Sequence, residues 1–235
     1  MSDLAMVLDL LQTSPDRWDS VRMAGREWRH VARLTQAWEH AVSATGGSSI
    51  RISAFQRATD EAEFSETDET VEKWRFWKKK PELIRTQFQV GNETVTAVFV
   101  GPQWWSRMPG MGLITNDGSP HHGHGLGPAE GLLDTRTLLS VLRIDDVSST
   151  TFLSRPAYVA TAKPATQDQH LSPFVLNALG MGADRYELVI DAEVGVVVRS
   201  QADAGGEAFR ILEVEEFGIN EVLDESLFSP ANLDG

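Results

Sequence analysis

Apolar residues recur at helical spacing near the start of the chain. Apolar side chains within residues 3–13 share one helical face, and Ser14-Pro15 ends the pattern, so a short amphipathic helix is predicted there. The same spacing predicts a second helix over 31–43, which ends before Gly46-Gly47. Both helices need an apolar surface to lie on.

Two further helices are predicted in the second half. Asp134 suits the N-cap of a helix whose apolar stripe, Leu138, Leu139 and Leu142, runs to Arg143. Residues 172–180 open on Ser-Pro and close on Gly180, which is typical of a short helix.

Alternating apolar and polar residues, the pattern of half-buried strands, dominate the rest of the sequence. The predicted strands are 19–28, 50–57, 72–79, 82–90, 93–100, 156–163, 185–191, 195–201 and 207–217. Gly91-Asn92 predicts a tight hairpin between two of them. Strands follow one another without regular βαβ crossovers, so the pattern predicts an α+β fold with an antiparallel sheet of roughly eight to ten strands.

Two segments interrupt the pattern. Residues 59–70 form an acidic run, interpreted as a solvated loop rather than a binding surface. Residues 108–128 are rich in glycine, proline and histidine, which predicts a lid or functional loop. A third feature, the carboxylates Glu213, Glu215 and Glu216, is interpreted as charge that protects a sheet edge.

Composition narrows the classes of function. The 34 acidic and 21 basic residues give a formal net charge of −13, which disfavours binding to nucleic acid or to an anionic membrane surface. Cysteine is absent, which excludes disulfides, thiol nucleophiles and Cys-ligated zinc. The N-terminus has no basic residue before its apolar ones and no long apolar run occurs, so we expect neither a signal peptide nor integral membrane association.

Four segments carry a family resemblance. They are 76–85 (FWKKKPELIR), 101–110 (GPQWWSRMPG), 186–199 (YELVIDAEVGVVVR) and 227–230 (LFSP). In residue type and order they resemble the LolA/LolB lipoprotein-carrier superfamily, which includes the RseB-type sigma-factor regulators. The resemblance runs from about Trp18 to Pro230, nearly the whole chain.

The resemblance implies a fold with a hydrophobic pocket. It implies one LolA-like domain over 1–235, a strongly curved antiparallel sheet or unclosed half-barrel, with short helices plugging its concave face. Relatives use the cavity for acyl chains or other apolar ligands. The strands 93–100 and 207–217 carry apolar residues on both faces, which independently favours a covered concave side.

The chain also departs from the carriers. They carry an export signal or a lipidated cysteine, which this sequence lacks, so a cytoplasmic location is expected. Residues 31–43 and 59–70 look like insertions relative to the simplest carrier pattern.

Candidate ligand-binding residues follow from predicted strand faces and helix stripes, with 108–128 as the gate. They are Phe88, Phe99, Trp104, Trp105, Leu138, Leu142 and Phe174. Trp104 and Trp105 are adjacent on a strand and must point to opposite faces, so one of them faces the cavity.

Catalytic chemistry has little support in the sequence. Motifs for nucleophile elbows, phosphate loops and HExxH metal sites are missing, and no cofactor is expected. His121, His122 and His124 cluster on the predicted loop, where weak metal binding is the alternative to a solvated segment. The basic run Lys78-Lys79-Lys80 is interpreted as a solvated sheet face, with contact to an acidic headgroup or partner as the alternative.

The sequence therefore predicts noncovalent binding of a hydrophobic small molecule or acyl chain. One alternative is an RseB-like module that binds a protein partner, through the basic run or the acidic loop. Another is a small biosynthetic enzyme that uses the His121, His122 and His124 loop.

Overall fold

A computed structural model describes residues 3–44, 69–90, 93–116, 127, 129–165 and 179–233. The helices are α1 (Asp3–Thr13), α2 (Val31–Ala44), α3 (Ala129–Leu133) and α4 (Thr135–Val141). The strands are β1 (Ser20–His30), β2 (Glu69–Lys79), β3 (Leu83–Val90), β4 (Glu93–Val100), β5 (Gln103–Met108), β6 (Gly112–Thr115), β7 (Leu142–Phe152), β8 (Arg155–Pro164), β9 (Arg185–Asp191), β10 (Val197–Ala204) and β11 (Glu207–Ile219).

All of these strands belong to one antiparallel sheet. Its order is β6-β5-β4-β3-β2-β1-β11-β10-β9-β8-β7, so two meanders meet where β1 pairs with β11. The outermost strands β6 and β7 do not pair with each other, and the sheet is not closed into a barrel. The prediction of an unclosed antiparallel half-barrel with short helices is confirmed.

The two faces of the sheet have different covers. On the face that we call the inner face, α1 buries Val7, Leu10 and Leu11 in a core that also contains Met23 and Phe76. The outer face of the half formed by β1 to β6 is covered by residues 221–233, which we call the C-terminal segment. Its residues Leu223, Phe228 and Leu233 bury Val98 of β4. Strand β4 is buried on both sides for this reason.

The predicted elements compare closely with the observed ones. Helix 3–13 ends as predicted at Thr13, and Asp134 caps α4 by accepting a hydrogen bond from the Thr137 backbone N–H. The predicted helix that starts after Asp134 was too long at its C-terminal end, because α4 ends at Val141 and Leu142 is the first residue of β7. The predicted strand 50–57 lies outside the described residues, as does most of the predicted helix 172–180.

Strands β5, β6 and β7 and helix α3 are not among the predicted elements, although Trp104 and Trp105 of β5 were expected to lie on a strand. The predicted loop 108–128 contains strand β6, which forms a hairpin with β5 around Pro109-Gly110. Strand β7 was missed because its outer half is exposed and rich in serine and threonine, so it lacks an apolar alternation. The unpredicted helix is α3, a single short turn before α4. Among the described helices, none has the length and apolar character needed to cross a membrane.

Candidate functional site

Apart from Glu93 at the start of β4, the inner face of β3, β4 and β5 is lined by uncharged side chains. Strand pairing places Phe88 opposite Val95, and Phe99 opposite both Ile84 and Trp104, and paired residues share a face. The charged residues of these strands that point the other way include Arg85 and Arg107. We call the uncharged surface the aromatic face; its members are Ile84, Thr86, Phe88, Val95, Ala97, Phe99, Trp104, Ser106 and Met108.

The aromatic face is partly accessible. Phe99 is buried, whereas Phe88, Trp104 and Met108 are half-buried. Gly127 lies over it: a Cβ built there would be 3.3 Å from Thr86 Oγ1 and 4.0 Å from Phe88 Cδ1. The described helices pack mainly against β1, β7, β10 and β11, at the other half of the inner face.

Trp105 points away from the aromatic face. Its ring packs in the outer-face cluster with Val98 and the C-terminal segment. Arg85 fixes that segment by donating hydrogen bonds to the backbone carbonyls of Leu227 (3.0 Å) and Asn232 (2.9 Å). Of the two adjacent tryptophans, Trp104 therefore faces inward, and Trp105 holds the C-terminal segment.

The remaining candidates lie elsewhere. Leu138 and Leu142 are fully buried in the core around α1, α4 and β7, so they belong to the helix-covered half of the inner face. Phe174 and the residues His121, His122 and His124 lie outside the described residues. Within the described ranges, no cluster of three or more histidine and acidic residues could hold a metal ion.

A buried ion cluster, which the sequence pattern did not predict, borders the aromatic face. Glu27 is 1% exposed and its Oε1 accepts hydrogen bonds from Arg210 (2.7 Å) and Arg29. Arg29 also forms an ion pair with Glu72 at 3.2 Å. Burial opposes ionisation of Glu27, but the two guanidinium groups outweigh it and lower the pKa of its carboxyl. Burial raises the pKa of Glu72 and lowers the pKa of Arg210.

The basic run has contacts within the molecule. Lys79 forms an ion pair with Glu225 of the C-terminal segment at 2.7 Å. Lys80 donates to the backbone carbonyls of Pro15 and Trp18, and its Nζ lies 4.1 Å from the centre of the Trp18 ring. Lys78 faces the same ring at 5.7 Å. These lysines hold the N-terminal turn and the C-terminal segment against the sheet.

The carboxylates of β11 do not protect a sheet edge, because β11 lies in the centre of the sheet. Glu213 pairs with Arg26 at 3.0 Å and with Arg199 at 3.4 Å, and Glu216 pairs with Arg22 at 2.9 Å. The prediction of edge protection is therefore wrong. These ion pairs form a solvated ladder on the outer face.

Sequence comparisons identify no relative: no family model matches the chain, and no curated protein matches it. Comparison of the fold, in contrast, identifies similar solved structures. MucB of Pseudomonas aeruginosa, solved in a MucA/MucB complex, superposes with a TM-score of 0.53 over 97% of this chain, at 13% identity. MucB is an RseB-type protein.

The chain shares its fold with MucB, and its unclosed antiparallel sheet with short helices is consistent with a LolA-like half-barrel. It spans 61% of the MucB chain. An uncharacterized conserved protein from Thermus thermophilus superposes with a TM-score of 0.50 at 12% identity, over 99% of this chain and 97% of its own. A LolA superfamily protein from Nitrosomonas europaea aligns over 96% of this chain and 98% of its own, at 8% identity and a TM-score of 0.36. At these identities the similarity concerns the fold alone.

Proposed function

We propose that the protein binds a hydrophobic small molecule or acyl chain, noncovalently, on the aromatic face. The observation that carries the proposal is a partly accessible aromatic surface, bordered by one carboxylate at Glu93, on the inner side of an unclosed antiparallel sheet. Transfer of an alkyl chain from water to this surface contributes roughly 0.8 kcal/mol for each buried CH₂, before the costs of association. Phe88, Phe99 and Trp104 supply the flat apolar contacts.

The adjacent tryptophans provide a matched test of this function. Trp104→Ala removes an indole from the aromatic face, and Trp105→Ala removes one from the outer face. The probe is N-phenyl-1-naphthylamine, a neutral dye that fluoresces in apolar sites. We expect saturable binding to the wild type, about tenfold weaker binding to Trp104→Ala, and little change for Trp105→Ala.

Thermal unfolding of both variants controls for lost structure. Equal loss of dye binding in the two variants, at equal folded fraction, would place the site elsewhere. The proposal would be contradicted if the wild-type protein did not bind the dye.

Recognition of a protein segment is a second candidate function, favoured by the contrast between the two sheet edges. Edge strand β7 carries Asp145 and Asp146 and an irregular register beside Ile144, features that oppose strand addition. Edge strand β6 has the sequence GLIT, a regular register and a Leu113 side chain that is 55% exposed. An extended peptide with alternating aliphatic residues could pair with β6 as an added strand.

This candidate has its own test. Peptides are selected from a random display library on the immobilised protein, and hydrogen exchange is measured with and without a selected peptide. If the peptide pairs with β6, it should protect the backbone amides of residues 112–115 from exchange. This protection should be lost in the Leu113→Lys variant and kept in the control variant Ser148→Lys, whose substitution lies on β7. Protection confined to other strands would exclude recognition through β6.

A further inference from the structure

Two buried polar atoms lie without a partner at the border of the aromatic face. Glu27 is 1% exposed; its Oε1 accepts two hydrogen bonds, but its Oε2 accepts none within the described part of the chain. Trp74 is 3% exposed, and its Nε1–H donates no hydrogen bond there. One atom is an acceptor and the other is a donor. Buried groups of this kind are normally satisfied.

The sheet register places these two side chains on neighbouring strands of the same face. Trp74 pairs with Gly25 on one side and with Phe88 on the other, and Glu27 follows Gly25 by two residues on β1, so all four share the inner face. A Cβ built on Gly25 would be 2.7 Å from Trp74 Cζ2, so the indole lies directly on the Gly25 backbone. The indole therefore packs on the strand that carries Glu27, and on its other side Trp74 is in register with Phe88 of the aromatic face.

The charges of the cluster restrict what can approach. Glu27 and Glu72 balance Arg29 and Arg210, so the four groups together are neutral. The remaining lone pairs on Glu27 Oε2 would repel an anionic headgroup. A hydroxyl group meets both requirements, because its O–H donates to the carboxylate oxygen and its own oxygen accepts from the indole N–H.

We propose that Glu27 Oε2 and Trp74 Nε1 bind the hydroxyl group of a neutral long-chain alcohol whose hydrocarbon chain lies on Phe88, Phe99 and Trp104. The inference rests on the proposed function and names its ligand class. Discrimination arises because a carboxylate cannot donate to Glu27, and an ester can accept from Trp74 only. Each mismatch leaves a buried polar atom unsatisfied.

The test compares three probes of equal chain length: dodecan-1-ol, methyl dodecanoate and ionised dodecanoate, each competing with N-phenyl-1-naphthylamine on the intact protein. We expect dodecan-1-ol to bind about tenfold more tightly than dodecanoate, with the ester between them. Trp74→Phe keeps an aromatic ring but removes the donor, so the alcohol should lose most of its advantage over the ester. Trp18→Phe is the matched control, because Trp18 Nε1 is also buried without a partner in the described residues but faces Lys80.

The outcomes separate the two proposals. If none of the three probes displaces the dye, the proposed function fails. If dodecanoate binds as tightly as the alcohol, the hydroxyl site fails while apolar binding stands. An alcohol preference that is unchanged in Trp74→Phe would also overturn the assignment. The wild-type comparison needs no variant, so it holds even if Trp74→Phe folds poorly.

Discussion

Replacing Glu27 by glutamine is expected to lower the free energy of unfolding by about 3–5 kcal/mol. Glu27 is the shared counter-charge of Arg210 and Arg29, and it is 1% exposed. Glutamine keeps the size and one acceptor but removes the buried negative charge that Arg210 and Arg29 share, in a site that water screens little. The measurement is urea unfolding at neutral pH, followed by far-ultraviolet circular dichroism.

A matched variant separates burial from charge. Glu216→Gln breaks the ion pair with Arg22 on the outer face, where the Glu216 side chain is 62% exposed. Exposed pairs contribute about 0–1 kcal/mol, so this variant should unfold close to the wild type. Equal losses for Glu27→Gln and Glu216→Gln would show that the inner cluster is not a dry ion-pair network.

The same cluster predicts a dependence on pH. The folded-state pKa of Glu27 is lowered: burial opposes this, but Arg210 and Arg29 outweigh burial. Its stabilisation is therefore complete above the pKa of an unfolded glutamate, about 4.3, and is lost as the pH falls through the lowered folded value. The gap between wild type and Glu27→Gln should shrink in that acid range.

Glu72 should behave in the opposite direction. Burial, the largest cause, raises its folded-state pKa, so its stabilisation is fully present below the unfolded pKa and is lost as the pH rises through the folded one. Glu72→Gln, which imitates the protonated form, should therefore match the wild type in acid and become more stable than it as the pH rises to neutral. A loss confined to neutral pH would contradict this assignment.

Replacing Gly25 by alanine is expected to lower the free energy of unfolding by about 3 kcal/mol. A Cβ at this position would be 2.1 Å from the Glu213 carbonyl oxygen and 2.7 Å from Trp74 Cζ2. The carbonyl belongs to the irregular β1–β11 pairing, where the register shifts between Ala24 and Gly25. Because the nearest atom is backbone, the two central strands must separate to admit the methyl group. Urea unfolding and the near-ultraviolet signal of the tryptophans measure the effect.

A second glycine serves as the control. Gly205 has a φ of +61° in the β10–β11 turn, and a Cβ there would meet nothing within 4 Å. Gly205→Ala carries only the strain of a left-handed residue, about 1 kcal/mol. A Gly25→Ala protein as stable as Gly205→Ala would mean that the centre of the sheet is looser than the structure indicates.

Much of the sheet could be predicted from the sequence because its strands obey simple alternation. The β9 strand, for example, starts and ends where the pattern predicted, at Arg185 and Asp191. Strand β7 could not be found in this way. Its residues 148–151 are exposed serines and threonines, so burial gives them no apolar period.

Part of the candidate site was also accessible from the sequence. Strand geometry alone required Trp104 and Trp105 to point in opposite directions. It could not tell which tryptophan faces inward, because that depends on residues 221–233 returning to cover the outer face. The ligand-binding roles of Phe88, Phe99 and Trp104 remain predictions.

The ion cluster was missed for a different reason. Glu27 lies on the same inner face of β1 as Met23 and Gly25, where the alternation predicts an apolar residue. A charged residue at an inward position of a strand was the signal in the sequence that could have indicated the cluster. Its partner Arg210 is 183 residues away, so only the pairing of β1 with β11 brings the charges together.

The most direct test of ligand binding on the aromatic face is photo-crosslinking with a dodecan-1-ol that carries a diazirine at the end of its chain. After irradiation, the labelled residues are mapped by mass spectrometry of peptides. Labels are expected on residues of the aromatic face such as Phe99 and Trp104, and excess dodecan-1-ol should suppress them. Labels confined to the outer face around Trp105, or to the exposed Met111 and Leu113 of the edge hairpin, would contradict binding on the aromatic face.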